Sequence, residues 1–189
     1  MSDRFLTENE LQAYTTKRTI TAALFAALTC ISTMIIKIPT PTLGYIHPGD
    51  GFVLLSGILL GPIWGGLAAG IGSALSDLIG GYFIYVPATF IIKFLTAFTA
   101  CIVFKALTKL LKSKNTIPET VISGIAGELV MVIGYFLFEI FMLSVLNKTS
   151  LAAGVISSLA GIIPNIIQGI FGIIISTALY PLLNRLNKY

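Results

Sequence analysis

What most constrains this chain is a succession of long apolar runs with charges confined almost entirely to their ends. Thr19 to Ile36, Pro62 to Gly80, Tyr82 to Leu107, Pro118 to Leu146 and Leu151 to Leu186 are each long enough to cross a bilayer. A shorter run lies between Asp50 and Gly61. Only 11% of the residues are charged and 56% are hydrophobic, with a mean hydropathy of +0.93. A soluble domain carries roughly 25% charged residues. The pattern predicts an all-α integral membrane protein of six transmembrane helices. Residues 1–18 form a polar cytoplasmic segment, and 19–189 form a single transmembrane domain. The first apolar run, without a basic leader, reads as an uncleaved anchor.

Charge parity supports the count. Lys17 and Arg18 flank the first run, and Lys105, Lys109, Lys112 and Lys114 form a second basic cluster. Basic residues favour the cytoplasmic side, so an even number of crossings separates the two clusters. Gly61-Pro62 therefore has to split residues 50–80 into two helices. Residues 50–80 are too few for two ideal spans, so the second crossing is expected to be short and entered by an extended segment near Gly44 to Gly49. Arg185 and Lys188 put the C-terminus inside as well, giving an N-in/C-in topology. Lys37, Lys93 and Lys148 are the basic residues that fall elsewhere. Pro164 and Pro181 are expected to interrupt the sixth helix.

Several function classes lose support at this point. The net charge of +4 sits at helix ends and forms no stripe for nucleic acid. Cys30 and Cys101 lie in apolar runs and read as reduced packing residues, and one histidine cannot build a multi-histidine metal site. No nucleotide-binding loop or nucleophile motif occurs. Neither an enzyme, a metal nor a cofactor is expected.

Function is sought instead in the polar groups placed among the apolar ones, because ionisable groups inside a membrane are costly. These are Asp77, Lys93, Glu128 and Glu139. Glu128 and Glu139 share a helical face. Lys93 can pair with one of these carboxylates to hold the bundle together, whereas Asp77 and Glu139, near the outer surface, can be solvated. His47 and Asp50 precede the second helix, and Tyr82 and Tyr85 follow the Gly80-Gly81 break. Tyr135 lies on the face of Glu128, and Asn165 and Gln168 sit at i and i+3 just after Pro164. Together, His47, Asp50, Tyr82, Tyr85, Lys93, Glu128, Tyr135, Glu139, Asn165 and Gln168 form a candidate pocket for a small polar or heteroaromatic ligand. The tyrosines after the break can equally serve as interfacial anchors. Small residues recur at helical spacing in the third helix (Gly66, Gly70, Ala74 beside Gly65, Ala69, Ser73), where they read as bundle packing. In the first helix Ala22, Ala23, Ala26 and Ala27 suit either internal packing or a partner.

The six short helices, the alanine row, Gly44-Tyr-Ile-His-Pro-Gly-Asp50, Gly57-Ile-Leu-Leu-Gly-Pro62, Gly70-Ile-Gly-Ser-Ala-Leu-Ser-Asp77 and Pro164-Asn-Ile-Ile-Gln168 together resemble the S components of energy-coupling factor (ECF) vitamin transporters. The branch most resembled handles pantothenate, pyridoxine and hydroxymethylpyrimidine. The resemblance implies a high-affinity capture subunit of an ABC-type importer in a bacterial-type cell membrane. Its partners are a transmembrane coupling subunit (EcfT-like) and two ATPases (EcfA-like), which hydrolyse the ATP. It also implies that Ala22, Ala23, Ala26 and Ala27 contact the coupling subunit. Ligand would sit near the outer side, beneath the loops 37–49, 80–86 and 147–150. With three intramembrane carboxylates against one lysine, the reading leans to pyridoxine or hydroxymethylpyrimidine over anionic pantothenate, for which Lys93 alone offers a cation. The rival readings are a stand-alone secondary transporter or channel for a small polar solute, and a membrane enzyme, which lacks a catalytic constellation.

Overall fold

The computed structural model describes residues 8–40, 44–111 and 116–186. Lys112, Lys114 and Lys188, which contributed to the charge argument, lie outside the described residues, as do residues 1–7 of the N-terminal segment. Among the described residues there are six α-helices: α1 (Glu8–Ile35), α2 (Asp50–Leu60), α3 (Pro62–Gly80), α4 (Val86–Leu111), α5 (Ile117–Phe141) and α6 (Leu151–Leu186). A π-helical turn, Met142–Leu146, extends α5. Five of these helices are long and apolar enough to cross a membrane.

The sixth, α2, has 11 residues, about 16 Å of helix, or half of a bilayer's hydrocarbon thickness. It is apolar nearly all round, which suits a helix with no exposed face. The other five form an arc around it: α1 against α3, α3 against α4, α4 against α5, and α5 against α6, with α2 touching α1, α3, α4 and α6. Val53, Leu54 and Leu55 of α2 are completely buried. The missing length is supplied by the connection from α1. There β1 (Ile38–Pro39) pairs antiparallel with β2 (Tyr45–Ile46) in a short hairpin. The extended entry expected near Gly44 to Gly49 is thus a two-stranded ribbon.

Close helix approach depends on missing side chains. A Cβ on Gly57 would collide with the Ala97 backbone of α4, and one on Gly72 with the Ala26 carbonyl of α1. Gly65 meets the Ser56 backbone in the same way, while Gly66 and Gly70 seat the Phe94 and Phe90 rings of α4. The small residues of α3 therefore pack inside the bundle. Lipid supplies no hydrophobic drive between helices, so such backbone proximity is what holds them. The reversal from α2 into α3 takes place at Gly61, with φ +90°, followed by Pro62 at the first helical position. Arg18 closes this end by donating to the Leu60 carbonyl at 2.7 Å.

α1 starts at Glu8, so the helix extends from the polar N-terminal segment into the apolar run. One expectation needs correcting: α6 runs unbroken through Pro164 and Pro181. Each proline removes one helical hydrogen bond, but packing against α5 and α2 holds the axis in place, as membrane helices commonly allow.

Candidate ligand-binding site

The hairpin lies over one end of the bundle, opposite the Gly61 turn. Its residues and the α3–α4 turn converge there for local reasons. Gly81 adopts the left-handed conformation that ends α3, with φ +82°, and the Tyr82 amide returns to the Asp77 carbonyl at 2.8 Å. This reversal brings Tyr82 over the end of α3 beside Tyr45 of the hairpin, with ring centres 4.6 Å apart. The Lys37 ammonium lies above both rings, 4.4 Å from the centre of Tyr45 and 5.4 Å from that of Tyr82. A cation over two aromatic faces ties the hairpin to the α3–α4 turn.

Beneath this cover lies a cavity of about 30 Å3, space for roughly two waters. The hairpin contributes Thr40, Gly44, Tyr45 and His47; α1 and α3 contribute Thr33, Ser73 and Asp77. Tyr82, Tyr85 and Thr89 line it from the α3–α4 turn and the start of α4. Tyr135 and Glu139 line it from α5, and Asn165 and Gln168 from α6. Two hydroxyl contacts organise the wall. Tyr45 donates to Asp77 Oδ1 at 2.6 Å, and Tyr135 donates to Thr89 Oγ1 at 3.1 Å. Tyr85 packs edge-on against Phe138 at 5.2 Å.

Below the cavity is a buried polar layer. Lys93 and Asp50 form an ion pair at 2.5 Å, and both are wholly inaccessible. Gln168 donates its amide to the other oxygen of Asp50 at 2.7 Å and accepts the His47 backbone N–H at 3.0 Å. One residue thus joins α6, α2 and the hairpin. The Lys93 ammonium also faces the Tyr135 ring at 5.3 Å. Glu128 lies beside Asp50, and the glycines of α6 make room for both: a Cβ on Gly172 would come within 2.9 Å of Asp50 Cβ and of Glu128 Oε1.

His47 accepts the Gly49 N–H at Nδ1, 3.1 Å away, which leaves its remaining proton on Nε2. Burial pushes its pKa down to about 3; Asp50 opposes the shift, and Lys93 and Lys37 add to it. The Tyr45 hydroxyl, also in the connection, is raised well above the usual phenol range, chiefly by burial and then by the Asp77 charge.

Of the ten residues singled out by sequence, His47, Tyr82, Tyr85, Tyr135, Glu139, Asn165 and Gln168 line the cavity. Asp50, Lys93 and Glu128 do not; they belong to the layer beneath. Lys93 pairs with Asp50 and not with Asp77, Glu128 or Glu139 as expected, because α2 begins deep in the bundle and presents Asp50 directly to α4. Nor are Asp77 and Glu139 solvated: they are 5% and 3% exposed. Thr33, Thr40, Gly44, Tyr45, Ser73, Asp77 and Thr89 were not among the ten. Tyr45 stands inside the Gly44-to-Asp50 motif and was legible there; the hydroxyl residues carry no signal that separates a wall from ordinary helix polarity. The alanine row divides: Ala22 is buried and Ala26 partly so, whereas Ala23 and Ala27 are exposed. Among the described residues no cluster of His, Cys, Asp and Glu suits a metal ion.

The fold is also that of known proteins. The structure matches one described as "Structure and mechanism of the S component of a bacterial ECF transporter", at 24% identity and a TM-score of 0.59, over 93% of this chain and 99% of that one. It likewise matches the S component for biotin from an ECF-type ABC transporter, at 23% identity and a TM-score of 0.60, over 94% and 95% of the two chains. An uncharacterized Pyrococcus woesei protein is 47% identical over 51 residues, which are 26% of this chain; the match spans about a third (34%) of that relative's length. Residues 13–186 match the family described as "ECF-type riboflavin transporter, S component". That description names riboflavin and not the pantothenate, pyridoxine and hydroxymethylpyrimidine branch that the motifs resemble. On this match across nearly its whole length, with the six-helix membrane fold to support it, the chain belongs to the family of ECF-type transporter S components.

Proposed function

We propose that this S component captures a neutral, hydroxyl-bearing heteroaromatic vitamin from the outer side of the membrane, in the cavity beneath the hairpin. The observation that carries the reading is the lining itself: four tyrosines, several hydroxyls and amides, and two carboxylates. The nearest buried cation, Lys93, is spent on Asp50. Aromatic walls accept a flat ring, and hydroxyls and amides orient it. An anion such as pantothenate would face Asp77 and Glu139, with only Lys37 of the cover, held over the Tyr45 and Tyr82 rings, to offset them. Riboflavin is the first candidate because the family carries its name. Pyridoxine and hydroxymethylpyrimidine, the smaller rings, come second.

A pocket for such a ligand needs several hundred Å3, and the cavity holds about 30 Å3. Binding therefore requires the hairpin and the Tyr45–Tyr82 pair to move outward and close again. Tyr82 and Lys37 belong to this cover. Coupling to transport is proposed to use a transmembrane coupling subunit and two ATPases, with the exposed Ala23 and Ala27 of α1 facing the former. The cell membrane is the proposed location, with the Arg18 and Lys105 end of the bundle facing the cytoplasm.

Equilibrium binding to the purified chain in detergent tests the reading, with riboflavin, pyridoxine, hydroxymethylpyrimidine and pantothenate as probes. Stoichiometric binding of one heteroaromatic probe, with pantothenate failing, is expected. Tight pantothenate binding would overturn the charge argument. Transport by the chain alone in liposomes, without ATP, would favour the secondary-transporter reading instead.

A further inference from the structure

The hydroxyl groups of the cavity wall do not have free choice of direction. Asp77 is buried at the end of α3, and Tyr45 donates to its Oδ1 at 2.6 Å, within the short range of an O–H bonded to a carboxylate. An ionised carboxylate only accepts. Tyr45 has one proton, and it is committed to Asp77. The Ser76 hydroxyl, 3.3 Å from the same phenol oxygen, is therefore the donor in that second contact. Thr89, on the same cavity wall, acts on this carboxylate as a donor would, which assigns its proton to Asp77. Tyr135, 3.1 Å from Thr89 Oγ1, must then donate to Thr89. One carboxylate sets the sense of every hydroxyl in the chain.

This polarity has a consequence for what can bind. A hydroxyl whose proton is committed inward presents lone pairs outward. Tyr45 and Tyr135 both line the cavity, as does Glu139. We propose that Asp77 is a positioning residue for specificity: by accepting from Tyr45 and Thr89 it turns the oxygens of Tyr45 and Tyr135 toward the ligand as acceptors, so that the site selects a ring whose edge carries N–H or O–H donors. The inference rests on the capture reading above and narrows it. The matching ligand chemistry is a ring imide, an aromatic amine or a hydroxymethyl group. A ring whose donors are capped by methyl groups leaves buried acceptors unpaired, which is the costly outcome for a polar pocket.

The experiment compares each vitamin with its methyl-capped counterparts, one donor capped at a time. Riboflavin is set against 3-methylriboflavin, pyridoxine against its O-methyl ethers, and hydroxymethylpyrimidine against its N-methylamine and its O-methyl ether. Dissociation constants are measured on the full chain in detergent. Wild type is expected to prefer the uncapped ligand by about ten- to hundredfold at one position or more. In Asp77→Asn the amide can donate to Tyr45, whose proton is then free to turn toward the ligand. That preference should fall to about threefold or less. A merely structural role for Asp77 would weaken both ligands together and leave their ratio unchanged, which would overturn the inference. Should Asp77→Asn not fold, Tyr45→Phe and Tyr135→Phe keep the rings and remove the acceptors; each should lower the same ratio, and a ratio unchanged in both overturns the proposal. A wild-type chain that binds none of these vitamins overturns the capture reading and this inference with it. One that binds a vitamin with no preference for its uncapped form overturns this inference alone.

Discussion

Lys93 and Asp50 illustrate how a buried charge is tolerated in a membrane bundle. Neither is accessible, each satisfies the other, and Gln168 takes up the second oxygen of Asp50. Removing one partner strands the other, which typically costs about 3–5 kcal/mol. Lys93→Met and Asp50→Asn should each destabilise the purified protein by that order, read as a fall in thermal unfolding temperature in detergent. The double variant Lys93→Met/Asp50→Asn should recover part of the loss, and a strictly additive pair would show that the two do not interact. His47 makes a second prediction. Its pKa is pushed down to about 3 by burial, whereas an unfolded histidine titrates near about 6.5. Above the unfolded value both states are neutral and the group contributes no pH dependence. Below it the unfolded chain takes up a proton that the folded one refuses, so stability falls steadily as pH drops from about 6.5 toward 3. As the single histidine of the chain, its imidazole carbon resonance should stay at the neutral position from pH 8 to 5. A midpoint near 6.5 in the folded protein would contradict the geometry.

At the scale of elements, α2 depends on its neighbours more than any other helix. Eleven residues with no exposed face are stable only if α3, α4 and α6 close around them. Gly57 is where that closure is tightest, because the obstacle to a side chain is the Ala97 backbone and not a movable rotamer. Gly57→Val should separate α2 from α4 and lower thermal stability by at least about 1–3 kcal/mol. Ile63→Val, at a site 54% exposed, should change it by less than about 0.5 kcal/mol. Equal behaviour of the two variants in a detergent melt would show that the close approach carries no energy.

For the whole molecule, the two sides of α1 should behave differently. Ala22 and Ala26 face the bundle, and Ala23 and Ala27 face outward. Ala23→Trp or Ala27→Trp should leave vitamin binding intact while blocking co-purification with a coupling subunit and its ATPases, and with it transport. Ala22→Trp should disrupt folding and binding together, since its side chain would press into the core that holds Phe25, Leu55 and Ala68. Loss of binding in the Ala23 and Ala27 variants would reassign those residues to internal packing.

The apolar runs and their flanking charges determined the class, the number of helices and the breaks at Gly61-Pro62 and Gly80-Gly81, because lipid leaves a backbone few choices and Gly and Pro mark the turns locally. Part of the cavity lining was legible for a related reason: a tyrosine, amide or carboxyl in a membrane run is conspicuous against its surroundings, whereas Thr33, Thr40, Ser73 and Thr89 are not. What the sequence did not contain was the pairing among them. Lys93 had Asp77, Glu128 and Glu139 as candidate partners along the sequence, and the choice of Asp50 followed only from how deep α2 starts. The division of the alanine row arose in the same way, from the turn of α1 that brings Gly72 of α3 against Ala26. Periodicity along one helix defines a face, but which neighbour that face meets, and at what depth, is decided by the packing of all six.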